Sequence, residues 1–143
     1  MVSKSYEIVI HRSKADVFSY CVAIENYPKW RTGILEPYYT TEPPLRIGSE
    51  YRYVQRFFGG QRQVPVRIVD YQPGRLIKEE RSFQRYTIWL AKDFESIEQG
   101  CRISIKVECT SANGLSLLEP LLVKRNIGNI ERDYRNLKSL LES

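Results

Sequence analysis

Leu117–Glu142, LLEPLLVKRNIGNIERDYRNLKSLLE, decides the architecture. At about 100° per residue, Val123, Ile127, Ile130, Tyr134, Leu137 and Leu141 fall in one narrow stripe. Leu122 and Leu140 widen it on one side. Lys124, Arg125, Arg132 and Arg135 take the opposite side, which suits water. Pro120 has no N–H to donate, so it belongs in the first turn. Asn126 and Asp133 flank the stripe, where either can reach a buried site or stay half-wet. A helix this apolar on one side must be covered. Nearly everything between Trp30 and its start reads as strand, and a curved sheet closed by one helix tends to leave a cavity between them.

Working back toward the N-terminus, Cys101–Thr110 alternates cleanly. Cys101, Ile103, Ile105, Val107 and Cys109 share one face, and Arg102, Ser104, Lys106 and Glu108 the other. One dry and one wet face is the pattern of an antiparallel sheet covered on a single side. Tyr86–Phe94 precedes it across a Glu98-Gln99-Gly100 turn. Leu76–Phe83 is a charged strand, entered through Pro73-Gly74. Glu50–Phe58 and Arg62–Tyr71 flank Gly59-Gly60, a strong hairpin signal. Pro65 argues for an edge or an irregularity in the second of these. Ile34–Thr40 ends at Pro43-Pro44, and Ser5–His11 is the first strand. Between those two lie a short helix from Ala15 to Cys21, with Ser13 as its N-cap, and a second helical turn from Ile24 to Tyr27. The order is strand, two small helices, six strands, long helix. It predicts an α+β fold with one antiparallel sheet of about seven strands around the C-terminal helix.

Composition narrows the classes. The 143 residues make one domain, 1–143, by length. The 22 basic and 17 acidic residues give a net charge of +5, and the basic residues are scattered instead of forming a run. Nucleic acid is therefore not the expected partner. No apolar run spans a bilayer, and the first residues lack a leader-like core, so the expectation is a cytoplasmic protein, monomer or homodimer. Cys21, Cys101 and Cys109 show no metal spacing. Cys101 and Cys109 lie about 26 Å apart along a straight strand, too far to bond. With one histidine, no cysteine pairs and no phosphate-binding glycine pattern, neither metal nor cofactor is expected.

Four stretches, in this order, carry a resemblance. They are Ile10-His11-Arg12-Ser13-Lys14-Ala15-Asp16-Val17-Phe18 with Glu25-Asn26-Tyr27-Pro28-Lys29-Trp30; Ile47-Gly48; Gly100-Cys101-Arg102-Ile103-Ser104; and Leu118-Glu119-Pro120-Leu121 through Leu137-Lys138-Ser139-Leu140-Leu141. Together they resemble the SRPBCC superfamily (START-like, Bet v 1-like, the helix-grip fold), and within it the polyketide cyclase/dehydrase group. Cys101 stands where that group usually has Thr. The resemblance implies a cavity between sheet and helix that takes sterols, lipids, hormones or polyketides. In some members the cavity assists aldol closure and water loss.

The candidate lining follows from the faces. Tyr51, Tyr53, Gln55 and Phe57 share one side of their strand, while Arg52 and Arg56 share the other, so the aromatic side is placed inward. Ile127, Ile130 and Tyr134 face it from the helix, with Asn126 at the edge and Ile105 on the last strand. By resemblance Trp30 sits near the mouth. Glu79 and Arg81 share one face of the charged strand. Either that face orients a ligand, or the strand is solvated and salt-bridged. The aromatics either line a pocket for an oxygenated aromatic molecule or fill the core. Three readings remain: a binder of a small hydrophobic, aromatic or polyketide-like molecule; a cofactor-independent cyclase or dehydratase; and a protein-interaction module.

Overall fold

Alternation along the chain yields a seven-stranded antiparallel sheet in the computed structural model, which describes residues 2–57, 59–83, 86–111 and 119–143. The strands are β1 (Val2–Ile10), β2 (Ile34–Tyr39), β3 (Glu50–Phe57), β4 (Gly60–Gln72), β5 (Leu76–Ser82), β6 (Tyr86–Ile97) and β7 (Gly100–Ser111). Helix α1 (Lys14–Val22), a 3-10 turn (Ile24–Asn26) and helix α2 (Tyr27–Trp30) follow β1, and α3 (Glu119–Glu142) closes the chain. The proposed helix start at Leu117 and strand end at Phe58 lie outside the described residues.

The sheet order is β1-β7-β6-β5-β4-β3-β2. The first strand therefore pairs with the last, and β1 and β2 are the edges. Helix α3 packs on β1 and β7 and against α2. This is the helix-grip arrangement that the sequence order predicts. The described part of its stripe is buried as read: Ile127, Ile130, Tyr134, Leu137 and Leu141 point inward, while Leu140 is 36% exposed at its margin; the side chains of Leu122 and Val123 lie outside the described residues. Each fully buried aliphatic side chain of this kind contributes about 1.5–3 kcal/mol of transfer free energy.

Local chemistry explains the joints. Ser13 Oγ accepts from Asp16 N at 3.2 Å and starts α1. Gly100 turns β6 into β7 at φ +144°, and a Cβ there would collide with the Ile10 carbonyl and the Arg12 backbone. Pro65 is neither on an edge strand nor at a break in its pairing with β3. It lies just before β4 begins to pair with β5 at Val66–Arg81, so its missing N–H interrupts no ladder there. The irregularity in β4 comes later, between Ile68 and Asp70.

The outer face carries the pairs expected of a wet surface. Arg67–Glu80 at 3.1 Å and Arg102–Glu95 at 3.3 Å are examples. Pairs this exposed contribute about 0–1 kcal/mol each. All three cysteines are buried thiols outside any disulfide.

Candidate functional site

Period two places the charges of β5. Ile77, Glu79 and Arg81 face inward, and Lys78 and Glu80 face out. The charged strand is thus not simply solvated. On β6 the same rule sends Ile88, Leu90, Lys92 and Phe94 inward. Glu79 and Lys92 are 0% exposed, Arg81 is 7% and Arg31, just after α2, is 4%. Three cations and one carboxylate therefore share the middle of the molecule.

Glu79 is the hub. Its Oε1 accepts from Lys92 Nζ at 3.2 Å and from the Tyr27 hydroxyl at 3.4 Å. Its Oε2 accepts from Arg81 Nη2 at 3.3 Å. Burial pushes the Glu79 carboxyl up, but Lys92, Arg81 and Arg31, with help from the Tyr51 hydroxyl, pull it further down, so it is held well below the usual carboxylate range. Arg31 Nη1 donates to the Tyr51 hydroxyl at 3.4 Å. Its guanidinium lies 4.4 Å from the Tyr27 ring centre, 5.7 Å from that of Tyr53 and 5.8 Å from that of Trp30. Burial alone would lower the Arg31 value, yet Tyr51, Glu79 and Tyr27 raise it well above the ordinary one, so its charge is secure.

Rings complete the cluster. Trp30 and Tyr134 meet edge to face at 5.2 Å and Tyr27 and Trp30 at 5.8 Å, while Tyr27 and Tyr51 lie tilted at 5.8 Å. Such contacts add about 0.5–1.5 kcal/mol each beyond burial. Asp133 of α3 locks the edge of the site, accepting from Thr32 N at 2.9 Å and Thr32 Oγ1 at 2.8 Å.

The hydrogen-bond account does not close. Trp30 Nε1, Arg31 Nη2, Arg81 Nε and the Tyr134 hydroxyl are buried without a hydrogen-bond partner. The Tyr134 hydroxyl lies beside the Cys21 thiol but makes no bond of good geometry with it. Buried polar atoms are almost always satisfied, so four in one neighbourhood mark it out.

Of the residues proposed from the sequence, Trp30, Tyr51, Tyr53, Glu79, Arg81 and Tyr134 come together here, with Ile127 and Ile130 buried on α3. Trp30 is not at a mouth; at 2% exposure it is walled in by Tyr27 and Tyr134. Gln55 is not in the lining. It is half-buried, and its Nε2 donates to the carbonyls of Thr32 and Arg56, bracing the Gly33 turn. Ile105 is buried on β7, opposite Tyr6 of β1, on the inward face but four strands along the sheet from β3. The side chains of Phe57 and Asn126 lie outside the described residues.

These rings pack against one another where the sequence reading placed a cavity. Two depressions on the described surface hold about 270 and 480 Å³. Both are bounded mainly by outward-facing residues, such as Glu50, Arg52 and Arg67 for the smaller and Ser104, Lys106 and Asp93 for the larger. Neither opens between the sheet and α3. Among the described residues, no group of metal-ligating side chains gathers, and no helix is long and apolar enough to cross a membrane.

Tyr27, Arg31 and Lys92 escaped the sequence reading. Lys92 carried a usable signal, because it shares the parity of Leu90 and Phe94. Arg31 carried none, since it sits in a turn with no period.

No curated protein matches the chain. Solved structures do match over its length. Ara h 8.0201 is 14% identical, with a TM-score of 0.79 over 98% of this chain and 97% of that one. An uncharacterized protein from Rhizobium leguminosarum is 16% identical, with a TM-score of 0.78 over 99% and 94%. The di-domain ARO/CYC StfQ from the steffimycin biosynthetic pathway is 13% identical, with a TM-score of 0.78 over 99% of this chain but 50% of that one. At these identities the likeness is one of fold. The sequence profile of polyketide cyclase / dehydrase and lipid transport proteins matches residues 1–142, and the chain belongs to that family.

Proposed function

We propose that this chain binds a small aromatic, oxygenated molecule between its sheet and α3, against Trp30, Tyr51, Tyr53 and Tyr134. The observation that carries this reading is the set of four buried polar atoms left without partners, drawn from α2, the turn after it, β5 and α3. A ligand with an apolar body and one or two oxygens would satisfy them, while rings already in place would grip the body. Entry requires those rings to part, so binding is coupled to a rearrangement of the cluster. Membership of a family described by both lipid transport and polyketide cyclisation supports a small-molecule site.

One feature favours turnover as a second reading. Burial, then Glu79, pushes the Tyr51 hydroxyl far above its ordinary value despite the opposing pull of Arg31, so it stays protonated. A protonated hydroxyl beside a guanidinium can polarise a carbonyl and assist aldol closure of a bound chain.

Calorimetric titration of the full chain with β-naphthoic acid and with β-naphthylmethanol tests the binding reading. Saturable binding of either is expected, weakened in Trp30→Ala and Tyr53→Ala proteins that keep the wild-type circular dichroism. Binding of neither compound overturns the reading, and unchanged affinity in both variants overturns the lining.

A further inference from the structure

The charges of the interior do not balance. Arg31, Arg81 and Lys92 face the single carboxylate of Glu79. Asp133 makes up only part of the difference: Arg31 and Arg81 act on its charge from a distance, but its Oδ1 is occupied by the Thr32 backbone and hydroxyl, and among the described residues none of the three cations lies within ion-pair distance of it. Burying a charge without a counter-charge is costly, and buried cations are normally matched one to one. The unmatched capacity is also directional. Glu79 takes one nitrogen of Arg81 and leaves Nε free; Tyr51 takes one nitrogen of Arg31 and leaves Nη2 free. Both guanidiniums border Glu79 and the Tyr51–Tyr53 ring pair. Two planar groups with unused donors in one aromatic neighbourhood suit a planar, delocalised oxyanion.

We infer that the site selects small aromatic molecules bearing a carboxylate, which docks on Arg31 Nη2 and Arg81 Nε while the rings of Trp30, Tyr53 and Tyr134 hold the apolar body. This rests on the binding reading above and narrows its ligand class. Trp30 Nε1 supplies a further donor for the same anion or for a neighbouring oxygen. Glu79 then has a second role beyond balancing charge. It competes with the ligand for the three cations, and so sets the affinity.

The matched naphthyl pair separates the two inferences, because acid and alcohol share one apolar body and differ in charge. The acid is expected to bind at least about tenfold more tightly than the alcohol, as a charge-assisted contact in a buried site requires. Arg31→Lys keeps the charge but removes the planar fork, and Arg81→Gln removes the charge; each is expected to erase most of that preference by weakening the acid far more than the alcohol. The Arg31→Lys protein keeps the test meaningful should Arg81→Gln not fold. Equal affinity of the wild-type chain for acid and alcohol overturns the carboxylate inference and leaves the binding reading standing. A preference that survives in both arginine variants overturns the assignment to these two side chains. Failure of both compounds to bind overturns both inferences.

Discussion

The interior has two halves built from the same alternation, and they obey different rules. Around β1, β6 and β7 the inward positions are Ile10, Ile88, Leu90, Phe94, Cys101, Ile103, Ile105 and Val107, closed by Val17 of α1 and by Leu137 and Leu141 of α3. Among the described residues there, only the Tyr6 hydroxyl, at the seam with Tyr134, asks for a partner. Around β3 and β5 the same inward parity delivers Tyr51, Tyr53, Glu79 and Arg81, with Lys92 reaching in from β6 and Arg31 from the turn after α2. The first half is what a sheet and a helix need in order to stay together. The second departs from that rule, carries excess positive charge and leaves donors idle. Local rules broken without repayment inside the chain point to repayment from outside it.

The sharpest way to break this comparison is to delete one residue from each half. Glu79→Ala removes the one carboxylate that, among the described residues, pairs with Arg81 and Lys92 and strands buried cations, a loss of about 3–5 kcal/mol. Ile103→Ala leaves an apolar void and costs about 2–5 kcal/mol. The sizes overlap, so the remedy must discriminate. Added acetate is expected to restore part of the stability of Glu79→Ala, because it can take the vacated carboxylate position. It should do nothing for Ile103→Ala. Denaturant melts with and without acetate read this directly. Equal response of the two variants would show that the charged half is ordinary core.

The two halves were not equally legible. The strands, their order and the α3 stripe follow from period two and period 3.6, which physical burial imposes on any covered sheet and helix. Pairing Glu79 with Arg81 on one face was also readable, but parity alone does not say which face is inward. Packing decided that, through Ile77 on the same side. The close packing of the rings was not legible, because ring size is invisible to periodicity. Tyr27 and Trp30, which lie in a turn, point inward and meet edge to face. Arg31 was illegible for a related reason: a side chain leaving an irregular turn has no period to betray its direction.

A smaller effect tests how the halves are joined. Asp133 ties α3 to the turn before β2 through Thr32. Burial raises its carboxyl above the ordinary value, only partly opposed by the two Thr32 hydrogen bonds and by the charges of Arg31 and Arg81. The folded chain therefore holds that proton more tightly than the unfolded one, and stability from this group is present below about pH 4 and lost as pH rises through the folded value. Glu79 runs the other way, but its depressed value moves its loss of stability to strongly acid solution. Asp133→Asn should remove the downward slope above about pH 4 and keep the Thr32 contacts, since an amide oxygen accepts as a carboxylate does. Urea unfolding of both proteins across mildly acid pH measures the difference. Parallel profiles would mean that Asp133 titrates as if exposed.

The smallest expected change in stability is the most informative about purpose. Tyr134 is 2% exposed, its ring meets Trp30 and Tyr6, and its hydroxyl makes no hydrogen bond. Folding gains nothing from that oxygen, and burying it unsatisfied costs about 1–3 kcal/mol. Tyr134→Phe keeps every ring contact and removes the burden, so the variant should be as stable as the wild type or slightly more so. Were the oxygen a mere accident of packing, nothing else would change. If it is held for a ligand, the same variant loses affinity for a naphthyl compound by roughly five- to tenfold, the worth of one hydrogen bond. Stability that rises while affinity falls is the signature of a group positioned for binding at the expense of folding. A loss of both would instead place Tyr134 with the aliphatic half, as one more wall residue of α3.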